Sequence, residues 1–472
     1  MTYIRGDRAQ FDAWETLGNP GWNWESLFKR YRQEERFYPP SRRQIAAGAT
    51  FEGGKHGFSG ELHVGFNPAL DNSSFYRNAV AAWGALGQAL RVDVNGGETR
   101  GFSIWPQTLD PVENVRWDAA TAFYWPIAEK RSNINMVNGT ASHIIWAKGC
   151  SKRRATGVEY INPQGDRTTL EAKREVILSA GALRSPLILE RSGVGNRKRL
   201  EKLGIKTLVN LPSVGENMID QPNLPLIYAS ISKTDGYAPY ATFPTAKDLF
   251  GADFISIAAS TKGKLREWAT SLAAESQGGL NAEAVHKIFQ LQHTLMFEKH
   301  VTVAEILSLA SDTVLVSALW PLLPFSRGSV HLRSAHDSDI NSPVIDPKFF
   351  RIDFDMDYNV AAAQLARKFW ETAPVKNLVK GLLQPNAPAN ASKEEWEKYI
   401  RSTISSNSHA LGSTAMMRQD LGGVVGPDLK VYGVENVRVA DASIMPTQFS
   451  GHLTATLYAI ADKAADMILA DR

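Results

Sequence analysis

The sequence predicts a protein that mixes α/β and α+β architecture, and three features of the chain predict it. Strand-like segments rich in β-branched and aromatic residues recur between residues 134 and 180. A strand, a glycine turn and a short helix follow one another over 175–195. The segment 263–310 reads as mostly helical. The chain has 472 residues, of which 43% are hydrophobic, so it is long enough for two large domains.

Composition excludes several classes of protein. Lys and Arg number 52 and Asp and Glu 49, with no Lys/Arg run, so we expect no nucleic-acid partner. No stretch of about 18 apolar residues exists, so we expect no membrane partner. Cys150 is the only cysteine, which excludes an internal disulfide and a thiolate cluster, and we expect no metal. The residues after Met1 are too charged for a secretory signal, so cytoplasmic and secreted locations both stay open.

The elements before residue 180 follow from local patterns. An Asn-Pro-Gly turn at 19–21 precedes a predicted helix over 25–35. Apolar spacing predicts a second helix over about 73–91. The segments 134–137, 143–146, 157–161 and 175–179 are predicted as strands.

The segment 175–195 predicts a strand that turns directly into a short helix. Ser185 has the chemistry of an N-cap, and Pro186 suits the first helical position. Gly193 fits the left-handed position that ends a helix. Such a unit can present a helix N-terminus to a phosphate or a flavin, but it can equally be an ordinary connection. Local pattern alone leaves both readings open.

Three histidines recur every seven residues at His286, His293 and His300. A metal site would need them closer together on one face of a helix. We therefore expect a surface or interface stripe.

Two further histidines lie near the C-terminus. Alternation over 434–441 predicts a strand that ends at Asp441, and His452 opens a helix with one apolar face. A histidine in the first helical turn meets the positive end of the helix dipole, which favours its neutral form and lets it accept a proton. His409 lies in a Ser/Asn-rich segment. Taken alone, each histidine is better explained as structural than as catalytic.

The turn and helix resemble a family signature. The segment Gly181-Ala182-x-x-Ser185-Pro186-x-Ile188-Leu189-x-x-Ser192-Gly193-Val194-Gly195 is similar, at every constrained position, to the second signature of the glucose-methanol-choline (GMC) flavoprotein oxidoreductases. Further landmarks occur in the family's order, at 19–24, 116–120, 214–222, 326–330 and 346–347. The resemblance covers essentially the whole chain and is closest to the fungal branch that contains glucose oxidase and aryl-alcohol or polyketide-modifying relatives.

The resemblance implies a discontinuous pair of domains. An FAD-binding domain, Rossmann-like and similar to p-hydroxybenzoate hydroxylase, would comprise residues 1–65, 131–222 and 431–472. A substrate domain with an antiparallel sheet backed by helices would comprise 66–130 and 223–430. The Gly-x-Gly-x-x-Gly motif of the family is absent, and the chain begins part-way through the first signature. We therefore expect an incomplete FAD-binding domain without its first βαβ unit, weak or no FAD binding, and poor stability.

The resemblance also implies roles for individual residues. His409 would act as base and His452 as its hydrogen-bonding partner during hydride transfer from an alcohol carbon to the flavin. Asp441 and Ala442 correspond to positions beside the FAD pyrophosphate and ribityl chain. Residues implied to contact the rest of the cofactor or the substrate are Thr454 at the pyrimidine end of the flavin, Ser142 near the adenine, and Trp320 and Asn407 in the substrate pocket.

Substrate and partners follow from the same resemblance. Glucose-active relatives carry an arginine where this chain has Ser405, so an aromatic or polyketide-type alcohol is expected rather than glucose. The electron acceptor would be oxygen or a quinone, and a homodimer is one option. Two alternatives stay open, namely a non-redox, cyclase-like relative that uses both histidines for acid/base chemistry, and a catalytically inactive remnant.

Overall fold

The computed structural model describes residues 1–72, 75–149, 153–234, 240–336, 342–385 and 391–471. Cys150 and the first two residues of the helix predicted over 73–91 lie outside these ranges. None of the helices in the described part of the chain combines the length and apolarity needed to cross a bilayer.

The helices of the described ranges are α1 Arg8–Thr16, α2 Trp24–Glu34, α3 Arg42–Ala46, α4 Tyr76–Ala85, α5 Trp125–Ala128, α6 Ser185–Arg191, α7 Arg197–Lys202, α8 Ala246–Phe250, α9 Phe254–Glu275, α10 Ala282–Phe297, α11 Asp353–Glu371, α12 Lys393–Thr403 and α13 Leu453–Ala470. The strands are β1 Glu35–Phe37, β2 Leu62–Val64, β3 Gly101–Ile104, β4 Leu109–Asp110, β5 Val115–Arg116, β6 Thr140–Trp146, β7 Ala155–Ile161, β8 Arg167–Glu171, β9 Val176–Leu178, β10 Val194–Gly195, β11 Val209–Asn210, β12 Pro222–Thr234, β13 Tyr240–Phe243, β14 Ala304–Pro321, β15 Ser329–His331, β16 Val344–Asp346, β17 Val379–Gln384, β18 Ser405–Ser406 and β19 Val437–Val439.

The largest sheet is antiparallel and has the order β17-β12-β14-β13-β3, with β18 paired to one end of β12. Its back face packs on α11, where Trp370 donates a hydrogen bond from Nε1 to Ser317 Oγ at 2.8 Å. Leu224, Leu226 and Leu315 on this face are completely buried. The expected antiparallel sheet backed by helices is confirmed.

Strand β14 reverses direction within its 18 residues. Glu305 and Trp320 lie near its two ends, yet both approach the same side chain, His452. Fifteen residues of straight strand would separate them by about 50 Å. Asp312, between them, has a positive φ of 49°, as a turn requires. The strand is therefore a hairpin whose two arms return to one place.

A second structural unit surrounds a short parallel pair. β9 pairs in parallel with β19, in the register Val176 with Val437 and Leu178 with Val439. The antiparallel strands β6, β7 and β8 form a neighbouring three-stranded sheet. The carboxyl ends of β9 and β19 therefore lie at the same edge, where ligands bind in open α/β sheets.

A buried ionic network fixes the first residues of the chain. Arg5 donates to Glu35 at 3.0 Å, and both side chains are inaccessible to solvent. His56 lies between Glu35, at 3.0 Å, and Asp93, at 2.9 Å. Burial alone would lower the pKa of His56, but the hydrogen bonds to Asp93 and Glu35 together outweigh it, so the pKa is raised. The network joins Arg5 to Asp93, 88 residues further along the chain.

Most predicted elements are present, with differences at their ends. The strands over 143–146, 157–161 and 175–179 and the helix over 25–35 are confirmed. The predicted strand over 134–137 is wrong: these residues are irregular, and Met136 is 69% exposed. Helix α4 ends well before residue 91 because Gly87 adopts a φ of 78°. In the segment 263–310, helix gives way to strand at Ala304.

Two side-chain predictions also need correction. The N-cap of α6 is Arg184, and Ser185 is the first helical residue. The Ser185 hydroxyl accepts from Ala180 N and donates to Asp441, so its hydrogen bonds join the turn to β19 rather than cap the helix. The histidine stripe lies only partly at the surface: His286 and His293 are buried, with His293 Nε2 2.9 Å from Ala258 O of α9, whereas His300 is exposed. In the described ranges, no group of three potential ligands could hold a metal.

Candidate functional site

His409 and His452 meet in the folded chain although 42 residues separate them in sequence. Their ring centroids are 5.0 Å apart, and the rings are nearly perpendicular at 86°. His409 lies in the loop that follows β18, and His452 is the N-cap residue of α13. The expected pairing of these two side chains is what the structure shows, whereas their chemical roles are a matter of proposal.

His409 has two hydrogen-bond partners at Nδ1. Gln221 Oε1, which can only accept, lies 2.7 Å away, and Nδ2 of Asn407, which can only donate, lies 3.0 Å away. Asn407 supports this arrangement by donating to the same Gln221 oxygen at 3.1 Å. Burial, with the neighbouring His452, lowers the pKa of His409 to about 3. His409 is therefore neutral at physiological pH, as a general base must be.

His452 has a carboxylate partner that sequence reasoning missed. Its Nε2 lies 2.9 Å from Oε1 of Glu305, whose side chain is completely buried. The other oxygen of Glu305 has no hydrogen-bond partner among the described residues. A buried carboxylate is costly unless it is paired, so the contact with Glu305 fixes the orientation of the His452 ring.

Two tryptophans wall the histidine pair. The Trp320 ring is nearly perpendicular to both histidine rings, at 6.4 Å from His409 and 5.9 Å from His452. The structure thus places Trp320 beside both histidines, and its role in a substrate pocket stays a prediction. Trp105, which the sequence did not single out, lies 6.5 Å from His452 with its ring 22° from parallel. It follows strand β3, and only the packing of the sheet brings it to the site.

The four residues expected to contact FAD line three adjoining cavities. A cavity of about 680 Å³ includes Ala442 and the residues flanking His409. It shares Ala180 and Arg184 with a smaller cavity of about 250 Å³, which Ser142 lines. It shares Leu457 with a third cavity, of about 650 Å³, lined by Asp441 and Thr454. We call these three cavities together the cleft, and the chain neighbours of the two histidines, Ser408, Ala410 and Leu453, line it.

The carboxylate of Asp441 is fully used by protein groups. One oxygen accepts from Gly181 N at 2.9 Å and from the Ser185 hydroxyl. The other accepts from the amide and hydroxyl of Ser443. Asp441 therefore fixes the turn after β9 against the end of β19, and any contact of this residue with a ligand would come from its backbone.

The start of α13 faces the cleft with free donors. Leu453 and Thr454 line the cavities, and no side chain caps this helix. The first amides of an α-helix lack partners within it, and the helix dipole makes this end attractive to phosphate and carbonyl oxygens. The donor set at this helix end and the largely apolar side chains of the cleft fit a flavin.

Comparison of the sequence with known proteins identifies its family and relatives. The family described as GMC oxidoreductase matches residues 1–223 with its N-terminal part and residues 324–461 with its C-terminal part. Glucose oxidase-like protein fsoC of Humicola fuscoatra is 48% identical over 473 residues, which cover 99% of this chain and 80% of that protein. A glucose oxidase of Aspergillus carbonarius is 34% identical, with 100% and 78% covered.

Solved structures share the fold. An FAD-dependent oxidoreductase from Chaetomium thermophilum superimposes with a TM-score of 0.89 at 27% identity, over 100% of this chain and 84% of that one. A fungal aryl-alcohol oxidase has a TM-score of 0.83 at 25% identity, with the same coverage.

Proposed function

Because the chain belongs to the GMC oxidoreductase family of FAD-dependent flavoproteins, we propose that it oxidises the CH–OH group of a small-molecule alcohol with His409 and His452 as the acid/base pair. The observation that carries the proposal is the perpendicular pair of histidines, each with its own hydrogen-bond partner and each next in sequence to a residue that lines the cleft.

The two histidines are suited to different tasks. Bound FAD supplies a hydride acceptor. In the tautomer that donates from Nδ1 to Gln221, His409 offers an unprotonated Nε2 to take the hydroxyl proton. His452, held by Glu305, orients the same oxygen. Asn407 donates to Gln221 and accepts from Asn223 at 3.1 Å, so it fixes the loop that carries His409.

The cleft residues have positioning roles in this proposal. Ser142, Ala442 and the first turn of α13 would contact the cofactor through backbone groups, and Asp441 would hold the turn after β9 in place. Trp320 would limit the space in front of the histidines. Oxygen is the acceptor we favour, since the named relatives include oxidases, and a quinone is the alternative.

The experiment is anaerobic mixing of the FAD-loaded protein with an aryl alcohol while the visible flavin absorbance is followed. We expect rapid bleaching in the native chain and a loss of about 10²–10⁴ in rate for His409→Asn. His300→Asn, an exposed histidine beyond α10, is the matched control. Stable flavin absorbance with every alcohol tested, in protein that holds FAD, would refute the redox proposal and favour the non-redox alternative.

A further inference from the structure

We propose that Gln10 is a positioning residue for His452, through which helix α1 holds the loop that carries this histidine. The inference rests on the proposed function and extends it to a segment near the start of the chain. The contact of Gln10 is with Ser450, which precedes His452 by two residues and lies 440 residues from Gln10 in sequence.

One face of α1 meets the loop 447–452. The residues of this face are Asp7, at the N-cap, and Gln10, Phe11 and Trp14 within the helix. Their spacing of three and four residues puts them on the same side of an α-helix. Trp14 donates from Nε1 to Thr447 Oγ1 at 3.2 Å, and the Phe11 ring lies 5.1 Å from that of Phe449. Apolar packing thus holds the loop against α1, and Gln10 adds the polar contact next to the histidine.

Gln10 satisfies both donors of Ser450. Its Oε1 accepts from the Ser450 amide at 2.9 Å and from the Ser450 hydroxyl at 2.6 Å. The same hydroxyl accepts from the Asp7 amide at 3.0 Å. Only the oxygen of the Gln10 amide can face the Ser450 N–H, which fixes the orientation of the side chain. Both residues are completely buried, so water cannot replace these hydrogen bonds.

The other half of the Gln10 amide is not satisfied. Its Nε2 is buried and has no hydrogen-bond partner among the described residues. A buried donor without a partner is destabilising, and an apolar side chain of similar size would avoid this cost. The presence of glutamine is therefore explained by what its oxygen does for Ser450, and packing alone does not explain it.

The loop needs this support because a glycine precedes His452. Gly451 adopts a φ of 105°, a conformation open to glycine, so the local backbone does not by itself fix the histidine. A Cβ at Gly451 would lie 2.9 Å from Ile4 O, the oxygen that accepts from the His452 amide at 3.2 Å. A rotation at Gly451 would carry the His452 ring away from Glu305. The bonds of Gln10 and Ile4, on the two sides of Gly451, oppose that rotation.

The test compares Gln10→Leu with Gln10→Glu in flavin reduction by an aryl alcohol, measured anaerobically on FAD-loaded protein. Leucine offers no acceptor, so the limiting rate should fall about 10- to 100-fold. The alcohol concentration that gives half this rate should change little. Glutamate keeps an acceptor for both Ser450 donors in the first turn of a helix, where a carboxylate is stabilised, and should retain most of the rate.

Gln44→Leu is the matched control. Gln44 is a buried glutamine of α3 whose amide donates to Phe66 O and Asn67 O at 3.1 Å. Its replacement removes buried hydrogen bonds of the same kind and should leave the limiting rate at the native value. Ser450→Ala, which removes the hydroxyl and keeps the amide, is the milder variant that tests the same contact if Gln10→Leu does not fold.

The ring ¹⁵N resonances of His452, assigned by their absence in His452→Asn, provide a readout that requires no turnover. They should shift in Gln10→Leu and stay native in Gln10→Glu and Gln44→Leu. A native rate with native resonances in Gln10→Leu and Ser450→Ala would overturn the inference, as would equal effects of Gln10→Leu and Gln44→Leu. Shifted resonances in Gln10→Leu, with no flavin reduction in the native chain, would refute the proposed function and leave the positioning role intact.

Discussion

Nε2 of His452 lies 2.9 Å from Oε1 of Glu305, a carboxylate that solvent does not reach. The side chain that orients one of the two proposed acid/base groups thus comes from β14 of the large antiparallel sheet, 147 residues earlier in the chain. We predict that Glu305→Gln slows alcohol-dependent flavin reduction about 10- to 100-fold, since the ring loses its ionic partner but keeps a similar shape around it. Stopped-flow absorbance measures this rate.

Two readouts distinguish a positioning role of Glu305 from a structural one. The pH profile of the reduction rate should change in Glu305→Gln, whereas flavin content and the unfolding midpoint should stay close to native values. Glu283→Gln, which removes an exposed ion pair with Arg266, should alter none of these. An unchanged pH profile in Glu305→Gln would contradict the prediction.

The low pKa of His409 predicts a pH-dependent contribution to stability. Below pH 6.5 the unfolded chain takes up a proton on this histidine, but the folded chain does not until about pH 3. The folding stability attributable to His409 therefore decreases as the pH is lowered through this window. Between pH 7 and pH 4.5 the native chain should lose about 2 kcal/mol more free energy of unfolding than His409→Gln does. Urea unfolding at the two pH values tests this, and equal losses would show that His409 titrates normally.

Asp441 is predicted to govern cofactor retention indirectly. In Asp441→Asn one oxygen becomes an NH₂ group, which cannot accept from the Gly181 amide and the Ser185 hydroxyl or from Ser443. The turn after β9 should loosen, and the ratio of flavin to protein after gel filtration should fall severalfold. Asp420→Asn, in an exposed pair with Arg418, should retain the native ratio. A native ratio in both variants would leave Asp441 without this role.

The buried network at the start of the chain is predicted to be essential for stability. Glu35→Gln removes the charge between Arg5 and His56 and should cost about 3–5 kcal/mol, because Arg5 then lies buried without its ionic partner. Glu52→Gln breaks the partly exposed bond to Lys55 and should cost less than about 1 kcal/mol. Denaturant unfolding of the two variants makes the comparison, and similar values would show that burial adds nothing to the Arg5 pair.

The parts of the site that sequence predicts are those encoded locally. Val437 and Val439 alternate because one strand face is buried, and the apolar stripe of α13 begins directly after His452, so both elements are readable from spacing. The glycine that ends α6 was also predictable. Gly193 adopts a φ of 80°, and a Cβ at this position would lie 2.6 Å from Lys206 O, so only glycine fits.

What sequence could not predict depends on tertiary contacts. Nothing in the local sequence marks Glu305 and Gln221, among the other acids and amides, as partners of the histidines. Only the folding of the sheet brings them to the histidines. Alternation misleads over 134–137, where an apolar pattern has no partner strand and Val137 remains 47% exposed. A signal for Glu305 does exist: it is a carboxylate within a strand that is otherwise apolar at both neighbours, Ala304 and Ile306. Such a residue is rarely buried unless it is paired.

The reversal of β14 has a consequence for changes in chain length. Glu305 and Trp320 lie at the open end of the hairpin, and Asp312 lies at its tip. Two residues inserted on each arm near the tip would lengthen the hairpin by about 7 Å. Because the added length lies at the tip, Glu305 and Trp320 would keep their places beside His452.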